Sequence, residues 1–99
     1  MKSFKIDENK ITEFCRRHHI HKLAVFGSAL GKDFRPESDL DILVEFEPKH
    51  VPGLAFFKIE KELSQILGRK VDLNTRDFLS PDFRDKVVSE AETVYAKAV

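Results

Sequence analysis

A compact α/β domain, with a small mixed sheet and helices packed on one face, is the fold class that the sequence predicts. Three observations carry it. A short all-apolar run, Leu23–Phe26, stops at Gly27-Ser28. A second run, Leu40–Phe46, follows a polar loop and carries carboxylates at Asp39 and Asp41. Helix-period apolar stripes occupy the segments on either side of these two runs. The order is helix, strand, short helix, strand, helix, strand, helix, and Thr93–Ala96 reads either as a closing strand or as an extension of the last helix.

Ninety-nine residues make one domain, 1–99, long enough for a real core but not for a second lobe. With 41% apolar residues and nine Phe, a packed core is expected. The 17 acidic and 17 basic side chains cancel. A protein held on nucleic acid by bulk charge is thereby excluded, although a local basic patch stays open. Cys15 is the single cysteine and cannot form an intramolecular disulfide. Met1–Asp7 lacks an apolar signal region and no run is long enough to span a bilayer, so a cytoplasmic protein without a membrane partner is expected.

In chain order, Asp7 is placed as an N-cap, with Ile6 and Ile11 as a hydrophobic staple. Ile11, Phe14, Cys15 and His18 then form one stripe at i, i+3, i+4, i+7, which makes Cys15 a small core residue and not a nucleophile. His18, His19 and His21 have no zinc-ligand spacing and read as a cluster at the helix end, near the negative end of its dipole. Leu23–Phe26 is a buried central strand. Ala29-Leu30 makes about one helical turn ended by Gly31, and residues 32–38 form a loop broken by Pro36. Leu40–Phe46 is the second strand, stopped by Pro48. Pro52-Gly53 introduces a helix over Leu54–Leu67 with Phe56, Ile59, Leu63, Ile66 and Leu67 in its stripe and Gly68 as its C′ stop. Lys58, Glu60, Lys61 and Glu62 make its solvated face. Arg69–Asn74 alternates as a third strand, and Ser80-Pro81 reads as N-cap and N1 of a last helix that buries Phe83, Val87, Val88 and Ala91.

The chemistry concentrates between residues 25 and 44. Residues i and i+2 of a strand share a face, roughly 6.6 Å apart, so Asp39 and Asp41 project together while Leu40, Ile42 and Val44 project oppositely. At an effective dielectric near 20 two such charges repel by roughly 1–3 kcal/mol. A structural role would therefore need a compensating Lys or Arg. A hard divalent cation does the same work, and Mg²⁺ takes one or two carboxylates together with phosphates and water. Gly27 lets backbone approach a ligand, and N–H groups at the helical turn it opens favour an anion, to which Ser28 adds a hydroxyl. These parts describe a site for a metal–nucleoside triphosphate. Lys32, Arg35 and Ser38 are further candidates for contacting the nucleotide, against the plainer reading of solvated loop residues. By alternation Asp72 joins Asp39 and Asp41 if its strand lies beside the second. Asp77, its competitor, sits in the loop before the next helix.

Gly27-Ser28, ten intervening residues and Asp39-x-Asp41 resemble the Gly-Ser … Asp-x-Asp signature of the DNA polymerase β-like nucleotidyltransferase superfamily. Phe26-Gly27-Ser28-Ala29, Ser38–Val44 and the short length look most like its minimal nucleotidyltransferase (MNT) branch, and the resemblance runs on through Leu63-Ser64, Val71-Asp72-Leu73 and Leu79-Ser80-Pro81. It implies the nucleotidyltransferase fold and a transfer in which an acceptor hydroxyl attacks the α-phosphorus of ATP and pyrophosphate leaves. Asp39 and Asp41 would hold two Mg²⁺ ions, about 3.5–4 Å apart. Asp72, the match to the third carboxylate on a neighbouring strand, would complete the site and take the acceptor's proton. Gly27 and Ser28 would hold the β- and γ-phosphates. The resemblance further implies an antitoxin that transfers AMP to a tyrosine of a partner HEPN ribonuclease toxin. A binding-only antitoxin and a transferase acting on a small-molecule hydroxyl stay open beside it, as does homo- or hetero-oligomerisation. Nucleic acid is not expected as the direct substrate.

Overall fold

Asp7 begins the first helix in the computed structural model, which describes residues 7–27 and 39–97 apart from the side chains of Phe78 and Phe83. The Asp7 carboxylate accepts from the backbone N–H of Asn9 and Lys10 at 3.0 and 3.1 Å, as the N-cap reading requires. Helix α1, Glu8–Arg17, turns Ile11, Phe14 and Cys15 into the core. Burial pushes the Cys15 thiol up to about 12, so it stays a protonated, inert core group. His18 ends the helix, and His19, at φ +54°, redirects the chain.

Strand β1 is Ile20–Phe26, three residues longer at its start than the apolar run suggests. His21 is therefore a strand residue and not part of a helix-end cluster. The reason is tertiary: β1 is central and pairs on both sides, so backbone ladders extend it through polar His21 and Lys22. Strand β2, Leu40–Phe46, runs antiparallel to β1, with Leu23 opposite Val44 and Phe26 opposite Asp41. A 3₁₀ turn, Gly53–Ala55, precedes helix α2, Phe56–Leu67, which starts two residues later than expected. Gly68, left-handed at φ +69°, ends it as anticipated. Strand β3, Val71–Asn74, lies parallel to β2, and helix α3 is Pro81–Glu90, with Ser80 as N-cap. Strand β4, Glu92–Ala96, pairs antiparallel with β1, which decides the open question at Thr93–Ala96 for a strand. The sheet order is β3-β2-β1-β4. The short helical turn at Ala29-Leu30, its stop at Gly31 and loop 32–38 lie outside the described residues, as does Ile6 of the expected staple.

One face of the sheet carries the main core. Leu23, Val25, Leu40, Ile42, Val44, Val71 and Leu73 meet Ile11, Phe14 and Cys15 of α1 and Phe56, Ile59 and Leu63 of α2. The expected arrangement of helices on one face holds for α1 and α2. Helix α3 departs from it: its Val87 and Val88 pack with Ala91 on a small cluster of Ala24, Leu43 and Leu79 on the opposite face. Leu43 and Ala24 are the apolar residues of strand positions that otherwise face away from the main core, and they need a cover of their own. Among the described residues no helix is long and apolar enough to cross a membrane.

The polar side of α2 is not simply solvated. Strand β3 is a sheet edge, and its outward N–H groups need acceptors. Val71 N–H donates to Ser64 Oγ at 3.0 Å and Leu73 N–H to Glu60 Oε2 at 2.8 Å. Glu62 joins α2 to α1 by an ion pair with Arg17 and a 2.9 Å contact between its Oε1 and His18 Nε2. Burial raises the Glu62 carboxyl, but the hydrogen bonds from Arg17 and His18 outweigh it and hold the group below its usual value.

Replacing Glu60 by Ala leaves the Leu73 N–H unsatisfied and should lower stability by about 1–2 kcal/mol. Urea unfolding measures this, and an unchanged midpoint would show that water serves the edge equally well. The depressed Glu62 carboxyl stabilises the fold above its unfolded value near 4.5 and loses that contribution as pH falls through the lower folded value. Glu62→Gln should accordingly flatten the acid limb of the stability curve relative to the unsubstituted chain.

Candidate active site

Three strands bring the predicted carboxylates to one end of the sheet. In β2, the apolar residues Leu40, Ile42 and Val44 enter the main core. The period of two then turns Asp41 to the opposite face. Asp72 of β3 is its register partner on one side, and Phe26 of β1 is its partner on the other. The condition on Asp72 set by alternation is thus met, because β3 does lie beside β2. Asp77 is in the 3₁₀ turn Arg76–Phe78, beyond the end of β3 and outside its register with β2.

Gly27 follows Phe26 directly and has φ +70°. A Cβ built there would lie 2.3 Å from Asp41 Oδ2 and 3.2 Å from its Cγ. The Asp41 carboxylate occupies the volume that any side chain at position 27 would need. Glycine is required here twice over, by backbone conformation and by this close approach. Asp41 is half-buried and Asp72 is exposed.

Asp39 sits at the mouth of β2, with its Oδ2 3.7 Å from Lys70 Nζ. Both side chains are largely open to solvent, at 48% and 78% exposure. A surface pair of this kind contributes about 0–1 kcal/mol, too little to be a structural reason for the carboxylate. Lys70 was not singled out by sequence. Its signal was its alternation with Asp72, since Lys70, Asp72 and Asn74 share a face. Asn74 in turn donates from Nδ2 to the Asp72 carbonyl at 3.0 Å.

Among the described residues, no three His, Cys, Asp or Glu side chains converge as a complete metal cage. The donor set still fits Mg²⁺, a hard ion that takes one or two carboxylates and completes its shell with phosphate oxygens and water. Asp41 and Asp72, register partners on adjacent strands, supply such a pair. Ser28, Lys32, Arg35 and Ser38, the candidates for the nucleotide, lie outside the described residues.

The polymerase beta nucleotidyltransferase family profile matches residues 9–98. The protein adenylyltransferase MntA of Thermococcus cleftensis is 34% identical over 79 residues, covering 79% of this chain and 78% of that protein. A solved structure of a candidate minimal nucleotidyltransferase superposes with a TM-score of 0.69 at 33% identity and covers 85% of each chain. A structure of a tri-AMPylated Shewanella oneidensis HEPN toxin in complex with MNT antitoxin matches with a TM-score of 0.63 at 24% identity, over 91% of this chain and 70% of that one. The last likeness is one of fold.

Gly27→Ala should destabilise the chain by about 1–2 kcal/mol from the left-handed backbone alone, with the clash against Asp41 added. A double-mutant cycle with Asp41→Ala separates the two: the clash should vanish and the backbone cost remain. Additive effects in that cycle would show that Asp41 is not seated over Gly27 in solution.

Proposed function

Since this chain belongs to the polymerase beta nucleotidyltransferase family, we propose that it transfers AMP from ATP to a tyrosine hydroxyl of a partner HEPN toxin and so acts as an antitoxin. The observation that carries the reading is the Asp41–Asp72 pair set against the Gly27 backbone. Such a pair, on two hydrogen-bonded strands, is a rigid oxygen donor set beside a point where a phosphate can approach main chain.

The acceptor oxygen attacks the α-phosphorus. A new O–P bond forms, the bond to the bridging oxygen of the β-phosphate breaks, and pyrophosphate leaves with the electron pair. Asp72 is exposed on an edge strand, where an acceptor held by a second protein can reach it, and it takes the hydroxyl proton. Asp39 and Asp41 present the remaining oxygens, Asp41 locked in place by its seat over Gly27 and Asp39 released from its weak pairing with Lys70. Bound Mg²⁺, two ions by the family resemblance, would neutralise charge on the attacking and leaving oxygens. Gly27 and Ser28 hold the β- and γ-phosphates, Lys32 and Arg35 neutralise charge on the triphosphate, and the Ser38 hydroxyl donates a hydrogen bond to it. With no covalent intermediate, these residues act by positioning and charge.

Intact-mass spectrometry of a co-expressed HEPN partner, with Mg²⁺ and ATP, tests the reading. The partner should gain mass in AMP units, and Asp41→Asn and Asp72→Asn should each cut transfer by about 10²-fold or more while leaving the complex intact. A tight, neutralising complex without any mass gain would establish a binding-only antitoxin instead. Mg²⁺-ATP at a hundredfold its dissociation constant should also stabilise the chain by about 2.7 kcal/mol, an effect that Asp41→Asn removes.

A further inference from the structure

The sheet leaves a strand edge open beside the carboxylates. Strand β2 runs to Phe46, but its ladder with β3 ends at Leu43 opposite Asn74. Among the described residues, Val44–Phe46 thus have no strand on that side. A cavity of about 500 Å³ lies along this edge. Val44, Phe46, Pro52 and Phe56 form its apolar wall, and its polar lining combines the basic Arg76 and Arg84 with the acidic Glu45 and Asp77.

Two further features surround it. Val51, Leu54 and Phe57, next to the Pro52 and Phe56 wall, are 75%, 88% and 64% exposed. Large apolar side chains grouped at the mouth of a groove mark an interaction surface. Arg84 donates from Nη2 to the Leu79 carbonyl at 3.0 Å, and its buried Nε has no acceptor among the described residues. Arg84 and Arg76 both line the cavity, and a guanidinium there suits a carboxylate.

We propose that this groove docks an extended segment of the acceptor protein. The segment adds a short strand to the open β2 edge, places an apolar side chain against Phe46 and Phe56, and offers a carboxylate to Arg84. Backbone pairing supplies the affinity and the alternate side chains the selectivity, as in other strand-addition complexes. Position supports this occupant: Val44 is three residues beyond Asp41, about 10 Å along the strand. A segment lying on the continuation of β3 ends at the Asp72 side of the site, where a flanking hydroxyl can enter. A small-molecule acceptor would leave the edge and the apolar patch without a partner. The inference rests on the reading of this chain as a protein-modifying transferase and names the surface that selects the protein.

The test uses the full chain and the co-expressed HEPN partner, with Leu54→Ser/Phe57→Ser and Arg84→Met as variants. Each should weaken partner binding about tenfold or more, with Mg²⁺-ATP affinity of the free chain unchanged. Amide exchange at Val44–Phe46 should slow when the complex forms. The Leu54 and Phe57 changes are at exposed positions and leave the core intact. Unchanged affinity in that variant, or unprotected amides at Val44–Phe46 in the complex, overturns the groove. Protection of the same amides that rises with concentration of this chain alone overturns it in favour of a second copy. AMP transfer lost in Asp41→Asn with binding indifferent to the groove variants rejects the groove and keeps the transfer reading. Groove-dependent binding without transfer by the unsubstituted chain does the reverse.

Discussion

Strand β2 buries Leu40, Ile42 and Val44 on one face, and everything acidic in the site follows from that. Burying each such side chain contributes about 1.5–3 kcal/mol. The three together exceed the roughly 1–3 kcal/mol by which neighbouring carboxylates repel. The strand therefore folds with Asp39 and Asp41 on the opposite side, and its two neighbours determine what they meet there. Strand β1 ends in the Gly27 backbone, against which the Asp41 carboxylate lies. Strand β3 contributes Asp72 at the next register position.

The place of Asp72 depends on an element that does not touch it. Strand β3 has only four residues and is an edge, so pairing with β2 alone would hold it loosely. Helix α2 supplies the missing acceptors through Ser64 and Glu60, and its left-handed Gly68 turns the chain back toward the sheet. Helix α2 is itself tied to α1 through Glu62, Arg17 and His18. A line of polar contacts thus runs from the first helix to the backbone on either side of Asp72. Apart from the exposed Arg17 its members are half-buried, where hydrogen bonds count for more than in the exposed Lys70–Asp39 pair.

In the proposed function, chemistry and recognition share one strand. The first part of β2 carries the carboxylates beside β3, and the last part, past the end of β3, has no further strand beside it among the described residues. The shortness of β3 creates both. It places Asp72 near an open end of the sheet, and it exposes the groove that Phe46, Phe56 and Arg84 line.

Local pattern was sufficient wherever burial and backbone geometry act over a few residues. The Asp7 and Ser80 caps, the Gly68 stop, the core stripes of α1 and α2 and the opposite facing of Asp41 and Ile42 were all legible in this way. The Gly-Ser and Asp-x-Asp spacing pointed to the family by the same local means. What sequence left open depended on partners far along the chain. Strand β1 reaches back to Ile20 because two neighbours pair with it, and Thr93–Ala96 is a strand because β1 offers an edge. Glu60 looked solvated because its acceptor role exists only once β3 lies beside α2. Helix α3 crosses to the far face because Leu43 and Ala24 require a cover there. The sequence alone determined which residues could form the site, since alternation and turn chemistry are properties of neighbouring residues. Only the tertiary structure decided that Asp72 stands next to Asp41 and that the Asp41 carboxylate fills the space above Gly27, because strand order and register join residues that the chain itself keeps far apart.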